Sequence, residues 1–146
     1  MSQIKHFDHV GVTVHDLEAA VAFFESLGLV IEGRQFVEGD FIDTVIGIPD
    51  SRTEIVMLKA PEGGTGVELS RFIRPTPEAV ERPPQATRPG LRSIAFEVAD
   101  LQGHVARLAA SGYGLVGGVG EYEDVWRMAY VRGPEGIIVA LAERID

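Results

Sequence analysis

The sequence predicts an α+β fold built from two βαβββ modules, which together form a curved mixed sheet enclosing a cleft. Three observations predict it: an ungapped internal repeat, a change from alternating to helical apolar spacing within each copy, and a proline-rich segment between the copies. Residues 9–17 (HVGVTVHDL) match residues 93–101 (SIAFEVADL), which lie 84 residues further on. The repeat therefore indicates a single domain, residues 1–146, made of two copies of one module.

Each copy begins with a strand and continues into a helix. The residues before Asp16 and Asp100 alternate in polarity, which is the period of a half-buried strand. Each aspartate is placed to cap a helix, because its carboxylate can accept hydrogen bonds from free backbone N–H groups. The apolar spacing then becomes helical until Gly28 and Gly112, which favour helix ends. Helices are therefore predicted near residues 16–27 and 100–111.

The second halves of the copies also match. Residues 55–63 (IVMLKAPEG) resemble residues 128–136 (MAYVRGPEG), and a closing strand follows each of them. The predicted modules span about 4–74 and 90–144, separated by a linker, residues 75–89, in a stretch that holds five of the eight prolines. One module alone would expose an apolar sheet face, so pairing two modules covers those faces or encloses a cavity.

Composition limits the classes of function. The formal charge is −9, from 13 basic and 22 acidic residues without a basic cluster, which argues against a nucleic acid or an anionic membrane as partner. No apolar run approaches the roughly 20 residues that span a bilayer. The chain has no cysteine, which excludes disulfides, thiolate metal sites and a cysteine nucleophile and favours a cytoplasmic location. A small molecule is the expected partner.

The order of these motifs resembles the vicinal oxygen chelate superfamily, which includes glyoxalase I, methylmalonyl-CoA epimerase, extradiol dioxygenases and bleomycin-resistance proteins. The resemblance covers nearly the whole chain. It is carried by residues 8–14 (DHVGVTV), 16–17 (DL), 67–69 (VEL), 91–100 (LRSIAFEVAD) and 133–136 (GPEG). It implies sheets that curl around a concave cleft, and a homodimer.

The resemblance also implies a divalent metal in the cleft, such as Zn, Ni, Co, Mn or Fe. The implied ligands come from the first and last strands of each module: His9, Glu68, Ser93 and Ala140. An imidazole and a carboxylate suit such an ion, so His9 and Glu68 are the metal candidates. Ser93 is a poor neutral ligand and Ala140 has no donor, so two of the four ligand positions are lost.

His9 and Glu68 are also the catalytic candidates. His9 shares a strand face with Gly11 and Thr13 and is expected to face the cavity as a ligand or an acid/base group. The alternative is a histidine bonded to a backbone carbonyl. Glu68 lies between two apolar residues and is expected to face a polar cavity, although an ordinary solvent-facing position is the alternative.

Six further residues are expected to line the cavity: Ser93, Ala140, Glu97, Trp126, Arg127 and Tyr130. Glu97 lies about 7 Å along its strand from Ser93 and offers a substitute carboxylate or a salt bridge at the strand end. Trp126, Arg127 and Tyr130 suit an aromatic or anionic ligand. Core packing and surface pairing are the alternative for these three residues.

Three functions fit the pattern, because the sequence has no nucleophile elbow, HExxH motif or dinucleotide fingerprint. The first is a glyoxalase-type lyase or isomerase that acts next to a carbonyl through Glu68 and His9. The second is a metal-free ligand-binding or drug-sequestering protein of the bleomycin-resistance type. The third is a dioxygenase-like protein, whose two-histidine, one-carboxylate iron triad is not met here.

Overall fold

The chain divides after Ala79 into two compact units, each holding one copy of the predicted module. The computed structural model describes residues 3–79 and 82–146, so residues 80 and 81 of the predicted linker lie outside the described part. Unit 1 contains β1 (His9–Thr13), α1 (Leu17–Ser26), β2 (Val30–Glu38), α2 (Asp40–Ile46), β3 (Arg52–Ala60) and β4 (Gly63–Arg74). Unit 2 contains β5 (Ile94–Glu97), α3 (Leu101–Ala110), β6 (Gly120–Tyr122), β7 (Trp126–Arg132), a 3₁₀ turn (Pro134–Gly136) and β8 (Ile138–Arg144).

Both units have the same mixed sheet. The strand orders are β1-β4-β3-β2 in unit 1 and β5-β8-β7-β6 in unit 2. In each sheet the first strand runs parallel to the last, and the remaining pairs are antiparallel. The predicted α+β class with two βαβββ modules is confirmed.

The helix ends follow the sequence signals. The Asp16 carboxylate accepts a hydrogen bond from the Ala19 N–H at 3.0 Å, and Asp100 accepts one from the Gly103 N–H at 3.1 Å. Gly28 and Gly112 follow the helices with φ of +106° and +93°, a left-handed conformation that favours glycine. Both predicted helices are therefore confirmed, and each begins one residue later and ends one residue earlier than predicted.

Each sheet has one face covered by its own helix and one face opposite to it. In unit 1, α1 buries its apolar side where β3 and β4 bury Val56, Leu58, Val67 and Leu69. In unit 2, Leu101 and Leu108 of α3 are buried, as are Ala129, Val131, Val139 and Leu141 of β7 and β8. Side chains alternate along a strand, so the intervening residues lie on the opposite face. We call this second face the open face of each unit.

Helix α2 is the element that the sequence did not predict. It has seven residues, too few to show a helical apolar period, and Phe41 and Val45 on it are 81% and 65% exposed. It ends at Gly47, whose φ is +72°. In unit 2 the corresponding strands β6 and β7 are joined by a tight turn. No helix in the described residues is long and apolar enough to cross a membrane.

Candidate functional site

The structure brings His9 and Glu68 together on the open face of unit 1. Strand β1 pairs in parallel with β4 so that Gly11 lies opposite Glu68, and His9 precedes Gly11 by two residues on the same face. The His9 Nε2 atom lies 3.5 Å from Oε2 of Glu68. Both side chains are partly exposed, so this histidine–carboxylate pair is accessible to a small molecule.

Asp8 determines how His9 is oriented. Its Oδ2 atom lies 2.7 Å from Nδ1 of His9, and its Oδ1 atom lies 3.2 Å from Nε2 of His6. The hydrogen bond to His9, and then the one to His6, lower the pKa of Asp8. A carboxylate can only accept, so the Nδ1–H of His9 donates to Asp8 and the Nε2 atom is directed to Glu68.

The sheet registers relate Glu68 to Ala140. Gly11 lies opposite Glu68 in unit 1, and its repeat partner Ala95 lies opposite Ala140 in unit 2. On the other side of the same strands, Met57 pairs with Glu68 and Tyr130 pairs with Ala140. Ala140 therefore occupies the same position in the sheet of unit 2 that Glu68 occupies in the sheet of unit 1. Ser93 is half-buried and lies one residue before β5.

The residues at the four implied ligand positions do not fit a resident divalent metal. His9 and Glu68 provide an imidazole and a carboxylate, while Ser93 provides a neutral hydroxyl and Ala140 provides no donor. The described residues contain no group of three or more His, Cys, Asp or Glu side chains that could hold an ion. Protein zinc sites normally use three or four side chains, so His9 and Glu68 alone are too small a ligand set for a resident ion.

The open face of unit 2 is aromatic and apolar. Trp126, Met128 and Tyr130 alternate along β7 and share this face, with Ala140 opposite Tyr130 on β8. The guanidinium of Arg144 lies 5.6 Å from the centre of the Trp126 ring, a cation–π distance. Sequence reasoning missed Arg144, because the register that puts it opposite Trp126 is not visible in the sequence.

Glu97 lies at the edge of the same face. It is exposed and pairs in register with Ala142 of β8. The pKa of Arg144 is raised, first by its hydrogen bond to Asp146 and more weakly by the attraction of Glu97. Glu97 therefore interacts electrostatically with Arg144 at the end of the sheet.

Arg127 lies on the other face of β7. It forms ion pairs with Glu121 at 3.1 Å and with Glu143 at 3.4 Å. Strand alternation places it with Ala129 on the side that carries α3. The structure therefore does not bring Arg127 together with Trp126 and Tyr130, and the period of two along β7 was the sequence signal that could have separated them.

Comparison with known proteins places this geometry in a family context. Residues 8–130 match the model of the Glyoxalase/Bleomycin resistance protein/Dioxygenase superfamily. A glyoxalase family protein from Bacillus cereus is 38% identical, with 99% of this chain and 97% of that chain covered and a TM-score of 0.95. No curated protein matches the sequence significantly.

More distant solved structures share the fold. TnmS3, an antibiotic binding protein from Streptomyces sp. CB03234, is 19% identical, with 99% of each chain covered and a TM-score of 0.63. The fosfomycin resistance protein FosX from Listeria monocytogenes, solved with Mn(II) and sulfate, is 14% identical, with coverage of 97% and 93% and a TM-score of 0.60. One fold thus accommodates a binding protein and a metal-containing resistance protein.

Proposed function

Since the chain belongs to the glyoxalase/bleomycin resistance protein/dioxygenase superfamily, we propose that it is a small-molecule lyase or isomerase of the glyoxalase type. The reaction moves a proton on a carbon next to a carbonyl group. The observation that carries this proposal is the 3.5 Å approach of His9 Nε2 to Glu68 Oε2 on an accessible sheet face, with Asp8 behind the imidazole.

The histidine–carboxylate pair supplies a general base, Glu68, beside an acceptor nitrogen, Nε2 of His9. Glu68 accepts the proton of the C–H bond next to the carbonyl, and the electron pair of that bond moves into the carbonyl to form an enolate. While Glu68 holds this proton, its carboxyl O–H donates a hydrogen bond to Nε2 of His9. The proton then returns to a neighbouring carbon or oxygen atom of the substrate. Such general acid–base catalysis contributes about 10²–10⁴-fold to a rate.

Proton exchange in D₂O tests this function without knowledge of the natural substrate. Hemithioacetals of 2-oxoaldehydes, α-branched acyl thioesters and α-hydroxy ketones are incubated with metal-stripped protein, and loss of the C–H signal is followed by NMR. We expect Glu68→Gln to lower the exchange rate about 10²–10⁴-fold. Glu62→Gln, at an exposed turn of the same sheet, is the matched control and keeps the rate. The proposal is wrong if the protein exchanges the C–H proton of none of these compounds. It is also wrong if Glu68→Gln and Glu62→Gln exchange the proton at the same rate.

A second candidate is a metal-free binding protein, which the open face of unit 2 favours. Trp126, Met128 and Tyr130 lie along this face, with Ala140 opposite Tyr130, so a flat apolar ligand finds aromatic and aliphatic contacts. Trp126 is the only tryptophan, so its fluorescence reports on this face. A binder would show saturable quenching by aromatic compounds that weakens in Tyr130→Leu but not in Phe41→Leu, and would show no proton exchange.

We also propose that the protein forms a homodimer. Helix α2 contacts β2, and these two elements expose Phe36, Phe41 and Val45, which are apolar side chains. Large exposed apolar groups on adjacent elements favour association with a second protein surface. A second copy of this chain is the partner that we propose for them.

A further inference from the structure

A cavity lined by arginines lies in unit 2, and none of its lining residues belongs to a strand. Its volume is about 250 Å³, and it is formed by the segment that precedes β5. We call it the arginine pocket, and its lining residues are Pro84, Gln85, Arg88, Pro89, Leu91 and Arg92. Two guanidinium groups and one amide supply its polar groups, and two prolines and a leucine supply its apolar walls.

The segment that forms the arginine pocket is held against unit 2. The Arg132 guanidinium at the end of β7 donates to the backbone oxygens of Pro84, at 2.7 Å, and Gly136, at 2.9 Å. A Cβ atom on Gly136 would lie 2.7 Å from Cβ of Pro83, so the chain packs closely at this point. The wall of the pocket that contains Pro84 is therefore held in place by Arg132 of the sheet.

The charges of the pocket differ from those of the sheets. Six arginines of the sheets form ion pairs with carboxylates: Arg34, Arg52, Arg71, Arg74, Arg127 and Arg144. Within residues 3–79 and 82–146, neither Arg88 nor Arg92 forms an ion pair or a side-chain hydrogen bond. Although the chain carries 22 acidic and only 13 basic residues, both guanidinium groups of the pocket lack a carboxylate partner among those residues, so both are available to an external anion.

We infer that the arginine pocket binds a small molecule with a dianionic phosphate group, whose apolar part contacts the proline and leucine walls. Two guanidinium groups balance the charge of a phosphate monoester and offer their planar N–H groups to its oxygens. Gln85 offers a further amide N–H. This inference is independent of the proposed enzymatic function, because it uses none of the residues on either open face.

Calorimetric titration with inorganic phosphate and with phenyl phosphate tests the inference. We expect saturable binding of both, with phenyl phosphate the tighter because its ring meets the apolar walls. The variants Arg88→Gln and Arg92→Gln should each weaken binding about tenfold, the loss expected for one charge-assisted contact. Both positions are exposed, so the variants are expected to fold, which circular dichroism would check.

Arg107→Gln is the matched control, because it removes the same charge from an exposed position on α3 outside the pocket. It should change the affinity less than twofold. Absence of saturable phenyl phosphate binding up to about 10 mM, a weak-affinity limit, would overturn the inference. An equal loss in Arg107→Gln would also overturn it, since only the overall charge would then matter.

Discussion

Asp8 is the residue on which the chemistry of His9 depends most directly. A neutral imidazole carries one proton, and its position decides which nitrogen acts as donor. The Asp8 carboxylate lies 2.7 Å from Nδ1 and holds the proton there. The lowered pKa of Asp8 keeps this group ionised at neutral pH, so Nε2 remains directed to Glu68.

Replacing Asp8 with Asn should loosen this arrangement. An amide can donate as well as accept, so the preference of His9 for the Nδ1–H form should fall by about threefold to tenfold. Nitrogen-15 NMR of the imidazole ring measures the two forms. His6→Gln is the control, because His6 contacts the other oxygen of Asp8. An unchanged His9 spectrum in Asp8→Asn would show that Asp8 does not set the tautomer.

The affinity for a divalent metal also depends on which side chains occupy the four implied ligand positions. With donors at His9 and Glu68 alone among the four implied positions, we expect Zn²⁺, Ni²⁺ and Mn²⁺ to bind with dissociation constants of tens of micromolar or weaker, on the order expected for an incomplete ligand set. Calorimetry on chelator-treated protein measures this. Stoichiometric submicromolar binding that disappears in His9→Gln would contradict the expectation and reveal a ligand that we have not identified.

At the scale of elements, a charged network joins α1 to its sheet. Glu54 of β3 is only 8% exposed, and its carboxylate accepts hydrogen bonds from Arg34 Nε at 2.9 Å and Arg71 Nη2 at 3.1 Å. Arg34 of β2 also contacts Glu18 on α1. The hydrogen bond to Arg34 is the largest cause of the lowered pKa of Glu54, followed among the lowering causes by the one to Arg71. The network fixes the helix over three neighbouring strands.

Glu54→Gln should therefore destabilise unit 1 by roughly 1–2 kcal/mol at pH 7, a value reduced because both arginines are partly exposed. Because the pKa of Glu54 is lowered on folding, the ionised carboxylate stabilises the fold fully at pH values above its ordinary pKa of 4.5. This stabilisation is lost as the pH falls through the lowered pKa. Urea unfolding at pH 7 and at lower pH should show the difference between wild type and variant narrowing in acid. Glu62→Gln should match wild type throughout, and a pH-independent difference would point to lost packing instead.

At the scale of the whole molecule, self-association follows from the apolar groups on α2 and β2. Phe41 is 81% exposed, although phenylalanine is among the residues most often fully buried. Sedimentation at tens of micromolar, a range typical for a specific interface, should show a dimer. Phe41→Asp should shift it to the monomer, whereas Val119→Asp in unit 2 should not. A monomeric wild type would contradict the homodimer, and a dimeric Phe41→Asp would place the contact elsewhere.

The amount that the sequence could predict differs between the fold and the site. The modules, both long helices and their aspartate caps were predicted because these signals depend on residues close together in the chain. The short helix α2 was missed because seven residues carry too little periodicity. For the site, the pairing of His9 with Glu68 was expected from the repeat and the resemblance, while the contacts of Asp8 and Arg144 were not.

The sequence by itself determined the internal repeat, the α+β class, the absence of donors at Ala140, and the neutral hydroxyl at Ser93. Those properties are set by residue identity and local spacing. Only the tertiary structure decided that Arg144 stacks on Trp126, that Arg127 pairs with Glu121 and Glu143, and that two arginines of the segment before β5 line a cavity. The physical reason is that cross-strand partners depend on register, and register is set by the packing of entire strands rather than by neighbours in the chain.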